Sequence, residues 1–184
     1  MTFKFPGKTA VRNSLIASAI MLSVGITYAQ KNGASDADKT FLDNTAQDSN
    51  FEIKTGQLAL KKSSSADIKA YAHMVIRDHT ALLSQTKRAD EAAGVTPQGT
   101  DTMSISDRAR YAELDVLTGK TFDDSYIKGL VKGNADSTNE AKSEASSTTF
   151  SPVKTLATHR LTMDSKHTKA ADALAHTHNV SVNQ

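Results

Sequence analysis

Between Ser65 and Gly94 no proline or glycine interrupts the chain, and steps of four and three residues set Ile68, Ala72, Val75, His79, Leu82, Thr86, Ala89 and Ala93 on one stripe. That spacing belongs to a long helix that buries one face in a bundle. A histidine stands in the middle of the face. Any fold for this chain must place that histidine among other helices.

The segments on either side extend the pattern. Ser35 stands three residues before Asp38, a capping-box spacing, and predicts a first helix from about Asp36 to Lys62. Its stripe is Leu42, Thr45, Ser49, Glu52, Gly56 and Ala59, flanked by Phe41, Ile53 and Leu60. A mid-helix glycine costs about 1 kcal/mol relative to alanine, so Gly56 is expected where two helices approach closely. Ser63, Ser64 and Ser65 break the first helix and cap the second, and so short a loop predicts an antiparallel hairpin. Gly94, with Pro97 after it, ends the second helix.

From Gln98 to Lys120 the chain reads as a crossover: a polar loop from Thr100 to Ser106, then a short helix from Ser104 or Ser106 to about Thr118, ended by Gly119. That helix carries Ala109, Ala112, Leu114, Val116 and Leu117. A third long helix is expected from Phe122 or Asp123 to about Thr148, with Tyr126 or Ile127, Leu130, Asn134, Ser137, Ala141 and Ala145 inward. Ser151 as N-cap and Pro152 at the first helical position open a fourth, which runs to about Ala175. Its inner side holds Val153, Leu156, Arg160 or His159, Met163, His167, Ala170 and Leu174. Residues 176–184 read as a solvated tail. The result is an all-α chain with the connectivity of a ferritin-like four-helix bundle: hairpin, long crossover with a short helix, hairpin.

The first residues stand apart from this fold. Lys4, Lys8 and Arg12 precede an apolar run from Leu15 to Thr27, and Thr27-Tyr28-Ala29 offers small residues where a signal peptidase reads. The expectation is a signal peptide over 1–29 cleaved after Ala29, a flexible lead-in over 30–35, and export to the periplasm or cell envelope. An uncleaved anchor is the alternative, although the run is shorter than the roughly 20 residues a spanning helix needs. Without the leader the 22 basic residues fall by three, to 19 against 20 acidic ones, so the formal charge moves from +2 to −1. No electrostatic case for nucleic acid is left, and nothing after the leader is expected to span a membrane. Self-association into a homo-oligomer is compatible with such a bundle. The chain has no cysteine, which excludes disulfides and thiol chemistry.

Each long stripe carries a polar residue near its midpoint: Glu52, His79, Asn134 and His167. Asp164 precedes His167 by three residues and can share its side of the helix. A di-iron site needs a carboxylate three residues before each ligating histidine, but Ile76 stands there before His79. Asp78 lies about 100° round the helix from His79, so the two cannot share an ion without distortion. Two readings remain. One is a mononuclear Zn, Fe or Cu site on His79 and His167 with Glu52 or Asp164. The other is a buried hydrogen-bonded cluster of Glu52, His79, Asn134 and His167 that fixes helix register. His73, His159 and the pair His176 and His178 rank below these as surface residues. No nucleophile elbow or glycine-rich phosphate loop is present, so no catalytic residue is assigned and the chain reads as non-enzymatic.

Phe41…Glu52-Ile53…Gly56-x-Leu58-Ala59, then Met74-Val75-x-x-Asp78-His79-Thr80, then Gly119-x-x-Phe122-Asp123-x-x-Tyr126 resemble the exported ferritin-like family known as domain of unknown function 4142. The resemblance covers about Asp38 to Leu174. It implies a four-helix bundle in the envelope, with no established reaction. Glu52, His79 and His167 match the family pattern. Asn134 stands where the family has a histidine, Thr162 where it tends to have a proline, and Asp164 where it has an apolar residue. The function expected is an exported, non-catalytic envelope protein with a stress-related or interaction role, the alternative being a metal-binding or redox protein.

Overall fold

The computed structural model describes residues 33–97 and 102–182, which form five helices and, among the described residues, no strand. They are α1 (Asp36–Lys62), α2 (Ala66–Ala93), α3 (Ile105–Asp115), α4 (Gly119–Ser147) and α5 (Ser151–Thr177). The leader, its cleavage point and the lead-in up to Asn32 lie outside the described residues. No described helix is long and apolar enough to cross a membrane.

The helix ends follow local chemistry. Ser35 Oγ accepts the Asp38 N–H at 3.1 Å, and the Asp38 carboxylate accepts the Ser35 N–H at 2.7 Å, which closes the capping box of α1. Gly94 takes φ +69° and lets the Val95 N–H reach back to the Asp90 carbonyl at 2.9 Å. Ser65 differs from its expected role. It occupies the N-cap position of α2, but its hydroxyl binds the Asp67 carboxylate, which itself accepts the Ile68 N–H at 2.8 Å. Gly119, at φ +56°, turns the chain and opens α4, so α4 starts three residues ahead of Phe122. Ser151 is the first residue of α5 rather than its cap, which is Phe150.

α1 pairs with α2 and α4 with α5 across loops of three residues each, while α2 also packs on α5 and α1 on α4. The ends fix the directions. Asp38 at the start of α1 binds Thr148 at the end of α4, and Asp67 at the start of α2 meets His178 beyond the end of α5 at 3.0 Å. All four neighbouring pairs are therefore antiparallel, and the segment holding α3 returns the chain to the end where α1 finishes. There the Lys62 ammonium donates to the Leu117 carbonyl at 3.1 Å.

The interior holds two apolar clusters. One, around Leu58, Ile68, Tyr71, Phe122, Ile127 and Leu174, fills the Lys62 end. The other, around Phe41, Leu42, Leu82, Val153 and Leu156, fills the opposite end. Val180 joins the first cluster at 8% exposure, so part of the segment read as a solvated tail is docked. α3 is the least buried helix. Only Asp107 is buried in it, Ala109 and Ala112 are exposed, and Val116 is 80% exposed. It lies on the outside, across α1 and α4.

Candidate functional site

Between the two apolar clusters the bundle interior is polar. Thr45 and Ser49 of α1, His79 of α2, Asn134 of α4 and Arg160, Asp164 and His167 of α5 are all buried there, and Glu52 of α1 is partly buried beside them. Each sits at a stripe position of its helix, so the periodicity that builds the core also brings these polar groups inward. Burial of so many requires partners.

Arg160 supplies most of them. Its guanidinium, 1% exposed as a residue, donates to Thr45 Oγ1 at 2.8 Å and to Ser137 Oγ at 2.9 and 3.1 Å. It pairs with the carboxylates of Asp48 at 2.7 Å and Glu140 at 3.0 Å, and stands 3.7 Å from that of Asp164. Ser137 in turn donates to Asp164 at 2.6 Å. The sequence left the choice between Arg160 and His159 open; His159 is exposed.

The two inward histidines are held separately. His79 Nδ1 lies 3.3 Å from Ser49 Oγ, and its ring stands 5.5 Å from that of His167. His167 Nε2 reaches Asp78 at 3.1 Å. Burial, reinforced by His167 and Arg160, pushes the His79 pKa down to about 3, so the ring is neutral. Burial also lowers His167, against the opposing pull of Asp78. For Asp78 burial acts upward, but hydrogen bonds from His167 and Arg77 hold it below the usual range. A neutral His167 therefore donates from Nε2 to an ionised Asp78, and its Nδ1 is left buried with no partner among the described residues. Asp78, set aside from the sequence because it flanks His79, thus serves the neighbouring helix instead.

The sequence-derived set of Glu52, His79, Asn134 and His167 occupies this one layer without bonding to itself. Asn134 donates to the Tyr71 hydroxyl at 3.0 Å. Glu52 has no hydrogen bond or ion pair among the described residues, and burial, with Asp48, Asp164 and Asp107 near, pushes its pKa up to about 8 against the pull of Arg110. As metal ligands these side chains are not gathered. Asp164 is bound to Ser137, and His167 to Asp78. No three His, Cys, Asp or Glu side chains among the described residues stand close enough together to hold an ion.

The layer is open to the outside. A cavity of about 480 Å³ enters between α1 and α4 and reaches Glu52, His79, Asn134 and Asp164. α3 and its N-cap form the roof through Ser104, Ser106, Asp107 and Arg110. The roof is fastened: the Arg110 guanidinium lies 4.5 Å over the Phe51 ring, and Asn50 donates to the Thr102 carbonyl at 2.9 Å. Nothing in the sequence signalled the cavity, because its roof comes from the crossover segment, whose spacing does not say which helices it lies across.

The comparisons with known proteins bear on the fold alone. The family model described as Domain of unknown function (DUF4142) matches residues 26–174. A solved structure, the DUF305 fragment from Deinococcus radiodurans, superposes with a TM-score of 0.69 at 11% identity, covering 79% of this chain and 99% of that one. No curated protein matches.

Proposed function

The chain belongs to the DUF4142 family, and from that premise we propose an exported, non-catalytic binding protein of the cell envelope, a ferritin-like four-helix bundle that holds a small ligand in its interior. The observation that carries this reading is the cavity of about 480 Å³ between α1 and α4, which brings solvent to an otherwise buried polar layer. A layer that served only to fix register would be closed, with its groups satisfied by one another. Here Glu52 and His79 line the cavity, and neither Glu52 nor the Nε2 of His79 has a partner among the described residues. Cavities of this size, with a few convergent polar groups, are where proteins take small molecules. Among the described residues that line the cavity there is no activated nucleophile or oriented acid–base pair, and binding is the role this lining supports.

The test is a fragment screen followed by amide chemical shifts, with Gly133→Met as the blocking variant. Gly133 lines the cavity, and a Cβ there meets only the Glu52 carboxyl, at an ordinary 3.8 Å. Ligands should shift residues of α1, α3 and α4 around the cavity and lose about tenfold or more in affinity in the variant. Absence of any such ligand, or binding indifferent to Gly133→Met, overturns the proposal.

A second reading draws on the same two uncommitted groups: a mononuclear Zn, Fe or Cu site on Glu52, His79, His167 and Asp164. His167 could keep Asp78 on Nε2 and offer its Nδ1, but the four side chains must draw together, because no three His, Cys, Asp or Glu side chains among the described residues stand close enough to hold an ion. Anaerobic loading with each metal at near-neutral pH, followed by metal analysis, tests it; markedly substoichiometric metal rules it out.

A further inference from the structure

The cavity wall is acidic, but its carboxylates are not equivalent. Asp48 and Glu140 are paired with Arg160, Asp164 is bound to Ser137, Asp107 is paired with Arg110, and Asp136 with Lys132. Glu52 is the lining carboxyl with neither a hydrogen bond nor an ion pair among the described residues. A second observation stands beside it. His79, only 5% exposed, also lines the cavity, and its Nε2 has no partner among the described residues. Ser49, which holds the other nitrogen of that ring, lies one turn before Glu52 on α1. With the ring proton on Nδ1 donated to Ser49, Nε2 of His79 is an acceptor, so one carboxyl and one imidazole acceptor line the same cavity without partners among the described residues.

We propose that the cavity binds a small organic ammonium, a primary amine or diamine, whose N–H donors are accepted by the Glu52 carboxylate and by Nε2 of His79. The inference rests on the reading of the cavity as a ligand site and names the ligand's class. An anion would enter a wall of carboxylates. A neutral ligand would leave Glu52 in its protonated form and gain hydrogen bonds alone, whereas a cation also gains a charge pair with the ionised carboxylate. A bare metal ion needs three gathered donors and would occupy a small fraction of about 480 Å³. An ammonium supplies one positive charge and several donors at hydrogen-bond length, which is what these two groups lack.

The binding step has a proton balance. In the empty cavity Glu52 keeps its proton up to about pH 8, because it is buried and faces Asp48 on its own helix, Asp107 on α3 and Asp164 on α5, with Arg110 of α3 opposing. Tyr71 of α2 and Tyr126 of α4 also face it, both uncharged, since burial and the Glu52 charge raise each of their pKa values. His79 of α2 is neutral across this range and accepts rather than repels. As the ammonium enters, the Glu52 proton leaves to solvent and the carboxylate pairs with the cation. Below about pH 8, one proton is therefore released for each ammonium bound.

The experiment is calorimetry on the purified protein with 1,4-diaminobutane and butylamine as probes, against butanol, butyrate and zinc chloride, in buffers of different ionisation heat. Amide chemical shifts report whether each probe reaches the cavity. The amines should bind there near pH 7 with release of a proton. Glu52→Gln, which keeps the shape of the neutral acid and therefore the fold, should weaken them about tenfold or more and abolish the release. The proposal is overturned if Glu52→Gln binds amines as well as the parent, if butanol or butyrate binds as tightly, or if zinc binds and amines do not. Should butanol or butyrate occupy the cavity, the ligand-site reading stands and only the ammonium falls. If no probe of any charge reaches it, both fall.

Discussion

Within the polar layer, Arg160 and His79 carry different kinds of risk. The Arg160 guanidinium binds two hydroxyls and two carboxylates from two helices, α1 and α4, and the residue is 1% exposed. Removing one partner of a buried pair typically costs about 3–5 kcal/mol, because the other charge is stranded. The Asp48 and Glu140 side chains are 40% and 32% exposed, so solvent screens part of that charge. Arg160→Met should therefore destabilise by about 2–4 kcal/mol in urea denaturation, and Arg160→Lys by somewhat less, since a lysine cannot fork between α1 and α4. His79→Ala should cost only about 1–2 kcal/mol: it loses a long hydrogen bond to Ser49 and ring contact with His167, and the cavity lets water take its place. A larger cost would mean that His79 bonds Glu52 directly. Periodicity predicted His79 as inward, but it could not separate Arg160 from His159, which lie about 100° apart on one helix. Nor could it find the Asp78–His167 pair. That contact joins α2 to α5, and spacing along one helix says nothing about which neighbour an edge residue meets.

Element boundaries were the more legible level, and three glycines show where that legibility ends. All three lie inside helices, where glycine costs about 0.5–1 kcal/mol relative to alanine. At Gly56 the structure shows the close approach that the sequence suggested: a Cβ would stand 2.9 Å from Ile76 Cγ1 and 3.4 Å from the Ala72 carbonyl. Gly129 has nothing within 4 Å, and at Gly133 only the Glu52 carboxyl comes near. Gly129→Ala and Gly133→Ala should each raise the melting temperature, by about 0.5–1 kcal/mol of stability. Gly56→Ala should lower it despite the same gain in propensity, because α1 must move off α2 and overpacking costs about 1–3 kcal/mol. A Gly56→Ala protein as stable as the parent would show that α2 yields freely. α3 was legible as a helix but not as a roof. Its residues Tyr111 and Leu114 pack on the bundle, while Asp107 accepts from the Arg110 guanidinium at 2.6 Å and holds it at the cavity mouth.

Across the molecule, burial without compensating cations leaves several carboxyls that keep their protons in the folded state. Glu52 is pushed up to about 8, chiefly by burial. Glu144, buried and hydrogen-bonded to Asp38, is raised to about 7, and Asp90, buried near Asp43 and Glu91, to about 6. A carboxyl with a raised folded pKa contributes stability that is full below its unfolded value, near 4.5 for Glu, and is lost as pH rises through the folded value. The buried histidines run the other way. With His79 lowered to about 3, their contribution is full above about pH 6.5 and is lost as pH falls. Between about pH 4.5 and 6.5 the two trends oppose, so stability there should change little. Above about pH 6.5 the histidines no longer titrate, and Glu52, joined at first by Glu144, acts unopposed up to about pH 8. Stability measured by urea denaturation should therefore fall across that window. One group contributes at most about 1.4 kcal/mol per pH unit, and the partial exposure of Glu52 reduces this, so a loss of about 1–2 kcal/mol is expected. Glu52→Gln removes the largest titration and should flatten most of the decline while matching the parent near pH 5. Addition of 1,4-diaminobutane should do the same to the parent and nothing to the variant, because the ammonium supplies the charge that the folded chain otherwise lacks. A decline that survives Glu52→Gln would move its origin to the Asp38–Glu144 end of the bundle, where Glu144→Gln would then be the variant that abolishes it.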